Sequence, residues 1–316
     1  MKKVTVITGY YNREDCVDET ILSLLNQTYD NYEIIAFDDN STDNTYTKLK
    51  MHQSDKLKVI RFNENIGFVN GLIEIIKNLD TEYIAIHGSG DKASSRRIES
   101  QAEALDQDLG LVMVGSHILN VDRHNNVSAE VRNKEFISRD DLFKFNQFSH
   151  GEIMFRKTTY DKVGGYRAIF KFSQDYDLWF RLLQHGRARI LQEILYERII
   201  QFEGVSYKPE KIIRQEQFGV LALEINKLNI QDQKILERKV EDSGISSVID
   251  VKHKLIQKNL FRKYNMLMFK NKLSDTAPFI NNSIGMYRIY YLISSQFYNY
   301  QYFRNSINKL YNRIYR

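Results

Sequence analysis

Two carboxylates stand directly before an apolar helical run near the middle of the chain. Asp175 and Asp177 precede apolar residues that continue to position 183, and the run ends close to His185-Gly186. A carboxylate fixed at the start of a buried helix has the position that a general base requires. The alternative is ordinary helix capping, in which Ser173 closes the first turn and the acids face the positive end of the helix dipole.

Polar or glycine-rich segments follow four predicted strands. They are residues 8–10, 38–45, 63–67 and 87–91. The carboxyl ends of parallel strands lie at one edge of a sheet, and ligands of such sheets bind there. The four segments therefore predict a site for a small polar ligand. No Gly-x-Gly-x-x-Gly follows the first strand and no Walker loop is present, which disfavours dinucleotide and P-loop sites.

Strands alternating with helices must position these groups. Strands are predicted at residues 3–8, 32–37, 57–62, 83–86, 109–117 and 152–155, with a polar hairpin or insertion at 121–133. Helical patterns alone follow residue 206, at 212–228, 230–240, 251–269 and 284–310. The first pattern is typical of a parallel sheet with right-handed crossovers. We therefore expect an α/β domain, a boundary near residue 206 and a helical C-terminal region.

The composition of the 316 residues is that of a soluble globular protein, with 42% hydrophobic and 27% charged residues. A single cysteine, Cys16, excludes an internal disulfide and most cysteine-based metal sites. The apolar run after Met1 is too short for a signal peptide. No apolar run approaches the ~18 residues of a membrane span. These features predict a cytoplasmic protein.

Five segments in this order resemble the inverting family 2 glycosyltransferases of the GT-A fold. Residues 4–12 resemble the opening strand and turn of that family, and residues 38–45 resemble its D-D-G-S-x-D-x-T segment. Residues 63–67 resemble its N-x-G turn. Residues 150–156 with 164–166 resemble its acceptor-side strand and G-G-Y turn, and residues 174–179 resemble its E-D-x-D-L-W helix start. The resemblance covers residues 3 to 206 and no further.

The resemblance implies roles for individual residues. Asp175 is implied as the general base, with His150 and Asp177 contacting the acceptor or supporting the residues that do. Asp39 is implied to accept the imide N–H of a uracil; a helix-capping loop is the alternative. Trp179 is expected to pack in the core. Thr8 and Tyr10 are implied to line the base pocket. The other residues implied in nucleotide binding are Asn12, Asn65, Gly67 and Lys92.

The chain departs from the family at the metal site. The family carries D-x-D after its fourth strand to hold Mg²⁺ or Mn²⁺, whereas here Gly88 and Gly90 replace both acids and Asp91 is the one acid left. Gln201 stands where many relatives carry a histidine. Either Asp91 alone holds the metal, or basic residues stabilise the leaving group in its place. The basic residues considered for that role are Lys92, Arg96 and Arg97.

The C-terminal region is basic and rich in aromatic residues. Residues 251–316 carry twelve Lys or Arg and one acid, Asp275, a net charge of +11 against +5 for the whole chain. Such helices suit an anionic membrane surface. The alternative is that the aromatic residues pack on the catalytic domain or on a second copy of the chain. No recognition motif accompanies the charge, so nucleic acid is not expected as a partner.

The sequence thus predicts a GT-A catalytic domain over 1–206 and a basic helical region over 207–316. Residues 1–110 form its nucleotide-sugar half and residues 111–206 its acceptor half. The expected activity is inverting transfer from a UDP-linked sugar to a hydroxyl of a glycan or lipid-linked glycan, in surface-polysaccharide assembly. Peripheral membrane association and a homo-oligomer are also expected. The alternatives are a non-catalytic nucleotide-sugar-binding or scaffold subunit, and a nucleotidyltransferase, which the missing glycine-rich basic loop disfavours.

Overall fold

The computed structural model describes residues 1–123, 126–200, 209–269 and 277–297. The chain divides into two compact units, Met1–Ile200 and Gln201–Arg316. The boundary predicted near residue 206 lies in 201–208, outside the described residues, as does Gln201. In the described ranges, no helix is long and apolar enough to cross a membrane.

The first unit is built on a single mixed sheet. Its strands are β1 Val4–Tyr10, β2 Tyr32–Asp38, β3 Leu57–Arg61, β4 Tyr83–His87, β5 Lys92–Ala93, β6 Leu111–Asp122, β7 Val127–Val131, β8 Phe136–Ile137, β9 Met154–Arg156 and β10 Arg187–Ile199. The strand order is β3-β2-β1-β4-β9-β6-β10-β5, with β7 beside β6 and β8 beside β10. Strands β1 to β4 are parallel to their neighbours in this group, and β10 is parallel to β6. β9 runs antiparallel to β4 and β6.

Helices connect these strands. They are α1 Val17–Leu25, α2 Thr45–Met51, α3 Phe68–Lys77, α4 Arg97–Gln107, α5 Arg139–Leu142, α6 Lys157–Lys162 and α7 Gln174–Leu182. The core lies against the parallel strands, and every residue of β1 is buried. Phe37 packs so closely that a Cβ on Gly9 would lie 2.2 Å from its ring, which explains glycine at that position.

The predicted α/β pattern is confirmed, and the hairpin expected at 121–133 is formed by β6 and β7. The 13-residue strand β10 was not predicted. The pairing of β10 with β6 shifts register at three places. Charged and apolar residues accordingly alternate along β10 only in part. Such irregularities break the period of two by which strands are recognised in a sequence. This omission matters because β10 reaches the site.

The second unit is helical in its described residues, as predicted. Its helices are α8 Pro209–Ile225, α9 Ile230–Ser243, α10 Lys254–Phe269, α11 Ala277–Asn281 and α12 Gly285–Phe297. Aromatic residues of α10, α11 and α12 pack on one another: the rings of Tyr264 and Tyr291 are 4.5 Å apart, and Tyr264 lies 5.3 Å from Phe279. All three are fully buried. These aromatic residues therefore form a core within the unit and are not available to a membrane interface.

Candidate active site

The loops after β1 and β2 are joined into one rigid edge. Asn12, in a left-handed conformation with φ 51°, donates its backbone N–H to Ser41 Oγ at 2.9 Å. Its side-chain oxygen accepts the backbone N–H of Thr42 at 2.9 Å. The backbone N–H of Asp39 donates to the carbonyl of Tyr10 at 2.8 Å. Asn12 thus holds the two loops together, and a contact of its own with a nucleotide stays a prediction.

Asp39 connects the second loop to the predicted N-x-G turn. One carboxylate oxygen accepts the N–H of Ile66 and the other the N–H of Gly67, each at 2.9 Å. Asp39 is 4% exposed, Gly67 has φ 85°, and Asn65 beside it is exposed. A carboxylate has about four acceptor positions, so two remain after these bonds. By this count Asp39 keeps acceptor capacity for a further donor, and its bond to an imide N–H stays a prediction.

Thr8 and Tyr10 do not lie at a surface open to a ligand. Both point into the core from β1, and Tyr10 is 1% exposed. The next residue, Tyr11, follows the end of the strand and is 48% exposed. This burial does not favour Tyr10 as a lining residue of a base pocket, and Tyr11 is the candidate that the geometry offers instead. Period-two alternation could have shown this, because Tyr10 shares its face of β1 with Val4 and Val6, two core residues.

The loop after β4 is folded back on itself. Asp91 accepts the hydroxyl of Tyr196 at 2.5 Å and the backbone N–H of Ile199 at 2.9 Å, both from β10. The same hydroxyl accepts the N–H of Gly88 at 3.1 Å. Burial raises the pKa of Asp91, although these two hydrogen bonds and nearby arginines oppose that rise. Asp91 thus fastens the loop to the end of β10.

The resemblance implies a divalent cation at this loop, and the side chains present do not fit one. Mg²⁺ and Mn²⁺ are held by several oxygen ligands, about six for Mg²⁺. Asp91 is the only acid in residues 87–91, and each of its oxygens already accepts a hydrogen bond. Among the described residues, no group of three His, Cys, Asp or Glu side chains could hold a metal.

Each of the three cations named in the alternative to a metal contacts another group of the protein. Lys92 pairs with Glu19 at 3.1 Å, and its contact with phosphate stays a prediction. Arg96 lies 3.8 Å from Glu99 on an exposed surface. Arg97 is fully buried and donates to His87 Nδ1 and to the carbonyl of Ile86, each at 2.8 Å. The expectation for Arg97 was therefore wrong, because its guanidinium supports the loop from inside the core.

Asp175 lies in the first turn of α7 and is partly exposed. Ser173 precedes it in a left-handed conformation, φ 55°, and its side chain makes no capping bond, so the alternative of helix capping by Ser173 is not seen. Asn146 Nδ2 lies 3.4 Å from Asp175 Oδ2. The next residues toward the helix centre, Tyr176 and Trp179, are buried, which confirms Trp179 as a core residue. The helix therefore holds one accessible carboxylate on a fixed backbone.

Asp177 lies on the opposite, inner side of this helix turn. It is fully buried and pairs with Arg181 at 2.6 Å and with Arg167 at 3.3 Å. Arg181 also donates to the carbonyl oxygens of Val163 and Gly165. Asp177 thus fastens the predicted G-G-Y turn to α7. This geometry favours a supporting role for Asp177 over direct contact with an acceptor.

His150 links the nucleotide side to the Asp175 side. Its Nε2 lies 2.7 Å from the hydroxyl of Tyr166. Its ring packs edge-on against Phe68, which follows Gly67, with centroids 5.7 Å apart, and lies 6.0 Å from the ring of Trp179. Burial lowers the pKa of His150, while the charge of Asp175 opposes this. A neutral imidazole at this position can donate or accept a hydrogen bond from a substrate hydroxyl.

The sequence model of Glycosyl transferase family 2 matches the chain over residues 5–173, more than half of its length. The match ends two residues before Asp175. The chain is 34% identical to EpsE of Bacillus subtilis (strain 168), named a glycosyltransferase, over 201 residues that make up 62% of this chain and 72% of EpsE. It is 26% identical to chondroitin synthase of Escherichia coli over 74% of this chain. The aligned part is 34% of the length of that synthase.

Solved structures share the fold. S. aureus TarS in complex with UDP-GlcNAc superposes with a TM-score of 0.59 at 16% identity, covering 99% of this chain and 93% of that one. The mannosyltransferase PcManGT of Pyrobaculum calidifontis, in complex with GDP-Man and Mn²⁺, gives 0.56 at 13% identity, covering 96% and 82%. The predicted GT-A fold with a helical C-terminal region is therefore confirmed.

Proposed function

The chain belongs to glycosyl transferase family 2, and on this premise we propose that it transfers a sugar from a UDP-linked donor to a hydroxyl acceptor with inversion. The observation that carries the proposal is Asp175, an accessible carboxylate on a fixed helix start. His150 connects it to the edge formed by Asp39 and Gly67. Donor and base would then lie on two sides of one imidazole.

In this reaction the acceptor oxygen forms a bond to the anomeric carbon while the bond from that carbon to the diphosphate breaks. The electron pair of the broken bond leaves with the nucleotide diphosphate, and the acceptor proton passes to Asp175. Asn146, 3.4 Å from the carboxylate, helps to orient it. His150 would hold the reacting sugar or acceptor hydroxyl between these groups.

The nucleotide side is proposed to bind a uracil base through Asp39 and Tyr11. Asp39 has two acceptor positions left for an imide N–H, and Tyr11 offers an exposed ring at the same edge. A ring in that position can stack on any base. UDP is favoured by the complex of TarS with UDP-GlcNAc, whereas GDP would be expected by analogy with PcManGT.

A thermal-shift screen with UDP, GDP and dTDP tests the proposal. A ligand that binds the native state raises its melting temperature by mass action. We expect UDP to give the largest shift, and UDP-sugars to release UDP slowly by hydrolysis or transfer. A larger shift with GDP would replace uracil by guanine in the proposal. No shift with any of the three would favour the alternative, a subunit without donor binding.

Replacing Tyr11 with alanine is expected to weaken UDP binding by about 5- to 150-fold, because base–aromatic stacking contributes about 1–3 kcal/mol. Calorimetric titration of UDP measures the effect. Phe136→Ala is the matched control, since Phe136 is also an exposed aromatic residue of the first unit but lies on β8. Equal affinity of the Tyr11 variant and the unaltered protein would remove Tyr11 from the base site.

The acceptor is proposed to be a glycan or lipid-linked glycan in surface-polysaccharide assembly. EpsE and chondroitin synthase, two of the similar proteins, support a role in glycan synthesis. Cytoplasmic location, contact with an anionic membrane and a homo-oligomer stay predictions. Exposed cations lie four residues apart along α10, and exposed apolar residues lie on α12. These are Lys254, Lys258 and Arg262, and Met286, Ile289 and Leu292.

A further inference from the structure

In the loop after β4, Asp91 and Tyr196 occupy the space next to Gly88, where the family carries the first acid of its D-x-D. A Cβ on Gly88 would lie 2.4 Å from Asp91 Oδ2 and 3.0 Å from the hydroxyl of Tyr196. A Cβ on Gly151 would lie 2.0 Å from the same hydroxyl. Asp91 and Tyr196 thus fill the space of a side chain at position 88. The loop is held against β10 by these contacts, and glycine at position 88 leaves space for them.

Arg198 lies on β10 beside the residues that hold this loop. Arg198 follows Tyr196 by two residues on β10, so both side chains leave the strand on the same face. Its Nε donates to Asn120 Oδ1 at 2.8 Å, across the β6–β10 pairing. Among the described residues, no carboxylate lies within salt-bridge distance of its guanidinium. The remaining N–H donors of Arg198 have no protein acceptor in that part of the chain.

The charge of Arg198 also affects the pKa values of two acids, Asp91 and Glu152. Burial raises the pKa of Asp91 and raises that of Glu152 to about 7, and Arg198 opposes both rises through its charge. Arg13 opposes the rise for Asp91 as well. Arg198 is therefore close to both the loop and the short helical turn that carries His150 and Glu152. A half-buried guanidinium without a carboxylate is a binding site for an anion.

We propose that Arg198 binds the diphosphate of the nucleotide-sugar donor and stabilises the charge that develops on it, in place of a divalent cation. The inference rests on the proposed glycosyl transfer. When the bond from the anomeric carbon to the diphosphate breaks, the electron pair moves onto a phosphate oxygen. A guanidinium meets two such oxygens with parallel hydrogen bonds, and its charge does not depend on pH in the physiological range. Transfer then proceeds without added Mg²⁺ or Mn²⁺.

The test compares UDP with uridine in EDTA and in Mn²⁺, using the full chain. We expect UDP to bind equally well in both buffers and Arg198→Gln to weaken its binding by about 10- to 100-fold, the effect of losing charge-assisted hydrogen bonds. Uridine affinity should not change, because uridine has no phosphate. Arg198→Lys should recover part of the lost affinity. Arg187→Gln is the matched control, since Arg187 lies at the other end of β10 and pairs with Asp108.

Two outcomes of this experiment would contradict the role of Arg198, and a third would contradict the proposed function. UDP binding or sugar transfer that requires Mn²⁺ would overturn the inference and leave the glycosyltransferase proposal intact. An equal loss of UDP and uridine affinity in Arg198→Gln would also overturn it, because the substitution would then act on the fold. Failure of UDP, GDP and dTDP to bind in either buffer would contradict the proposed function itself.

Discussion

Replacing Asp175 with asparagine is expected to lower kcat for sugar transfer by about 10²- to 10⁴-fold, the usual contribution of a general base. The asparagine side chain has nearly the same shape but cannot take a proton from the acceptor hydroxyl. Donor affinity should change little, because the hydrogen bonds that hold the Asp39 edge come from Ile66 and Gly67 and do not involve Asp175. Steady-state rates with saturating donor, together with UDP titrations, measure both quantities.

Loss of stability cannot account for an effect of that size. Asp175 is partly exposed, and the one hydrogen bond described for its side chain comes from Asn146 at 3.4 Å. The loss of its charge from the first turn costs about 0.3–1 kcal/mol of unfolding free energy. Asp140→Asn is the matched control, since Asp140 is an exposed acid in the first turn of α5. Full activity of Asp175→Asn would exclude Asp175 as the base.

The sequence predicted the parts of the site that follow regular strands. Asp39 follows a strand whose pattern is plain, and its partner Gly67 closes a turn that only a residue tolerant of positive φ adopts easily. Asp175 was found by its position before an apolar run. Tyr11 was not proposed from the sequence, although alternation along β1 places Tyr10 in the core and leaves Tyr11 beyond the end of the strand.

Arg198 could not have been predicted in the same way. Its strand pairs with β6 through three register shifts, so its apolar residues do not alternate cleanly. The loop it reaches is defined by contacts between residues about 110 positions apart, such as Asp91 and Ile199. Such contacts depend on tertiary packing and leave no local pattern in a sequence. The burial of Arg97 also depends on packing, because this residue of α4 donates to His87 and to the carbonyl of Ile86 at the end of β4.

Replacing Asp177 with alanine is expected to lower the unfolding free energy of the first unit by about 3–5 kcal/mol. The substitution leaves Arg181 buried without a counter-charge. It also weakens the link between α7 and the turn at Gly165, because Asp177 no longer orients Arg181 toward the carbonyl of Gly165. For a unit of this size, the loss corresponds to a fall in melting temperature of roughly 6–20 °C. Calorimetry of the purified variant measures it.

The exposed pair of Lys157 and Asp161 provides the control for that prediction. It has the same four-residue spacing and an N–O distance of 2.6 Å, but Asp161 is largely exposed. Asp161→Ala should cost less than about 1 kcal/mol, since surface ion pairs contribute little. Equal losses in the two variants would mean that burial does not strengthen the Asp177 pair. Replacing Asp177 and Arg181 together with apolar residues should recover part of the stability, because Arg181 is then no longer buried without its counter-charge. Activity of that double variant, measured well below its melting temperature, would then report how far the G-G-Y turn positions Tyr166 and His150, separately from folding.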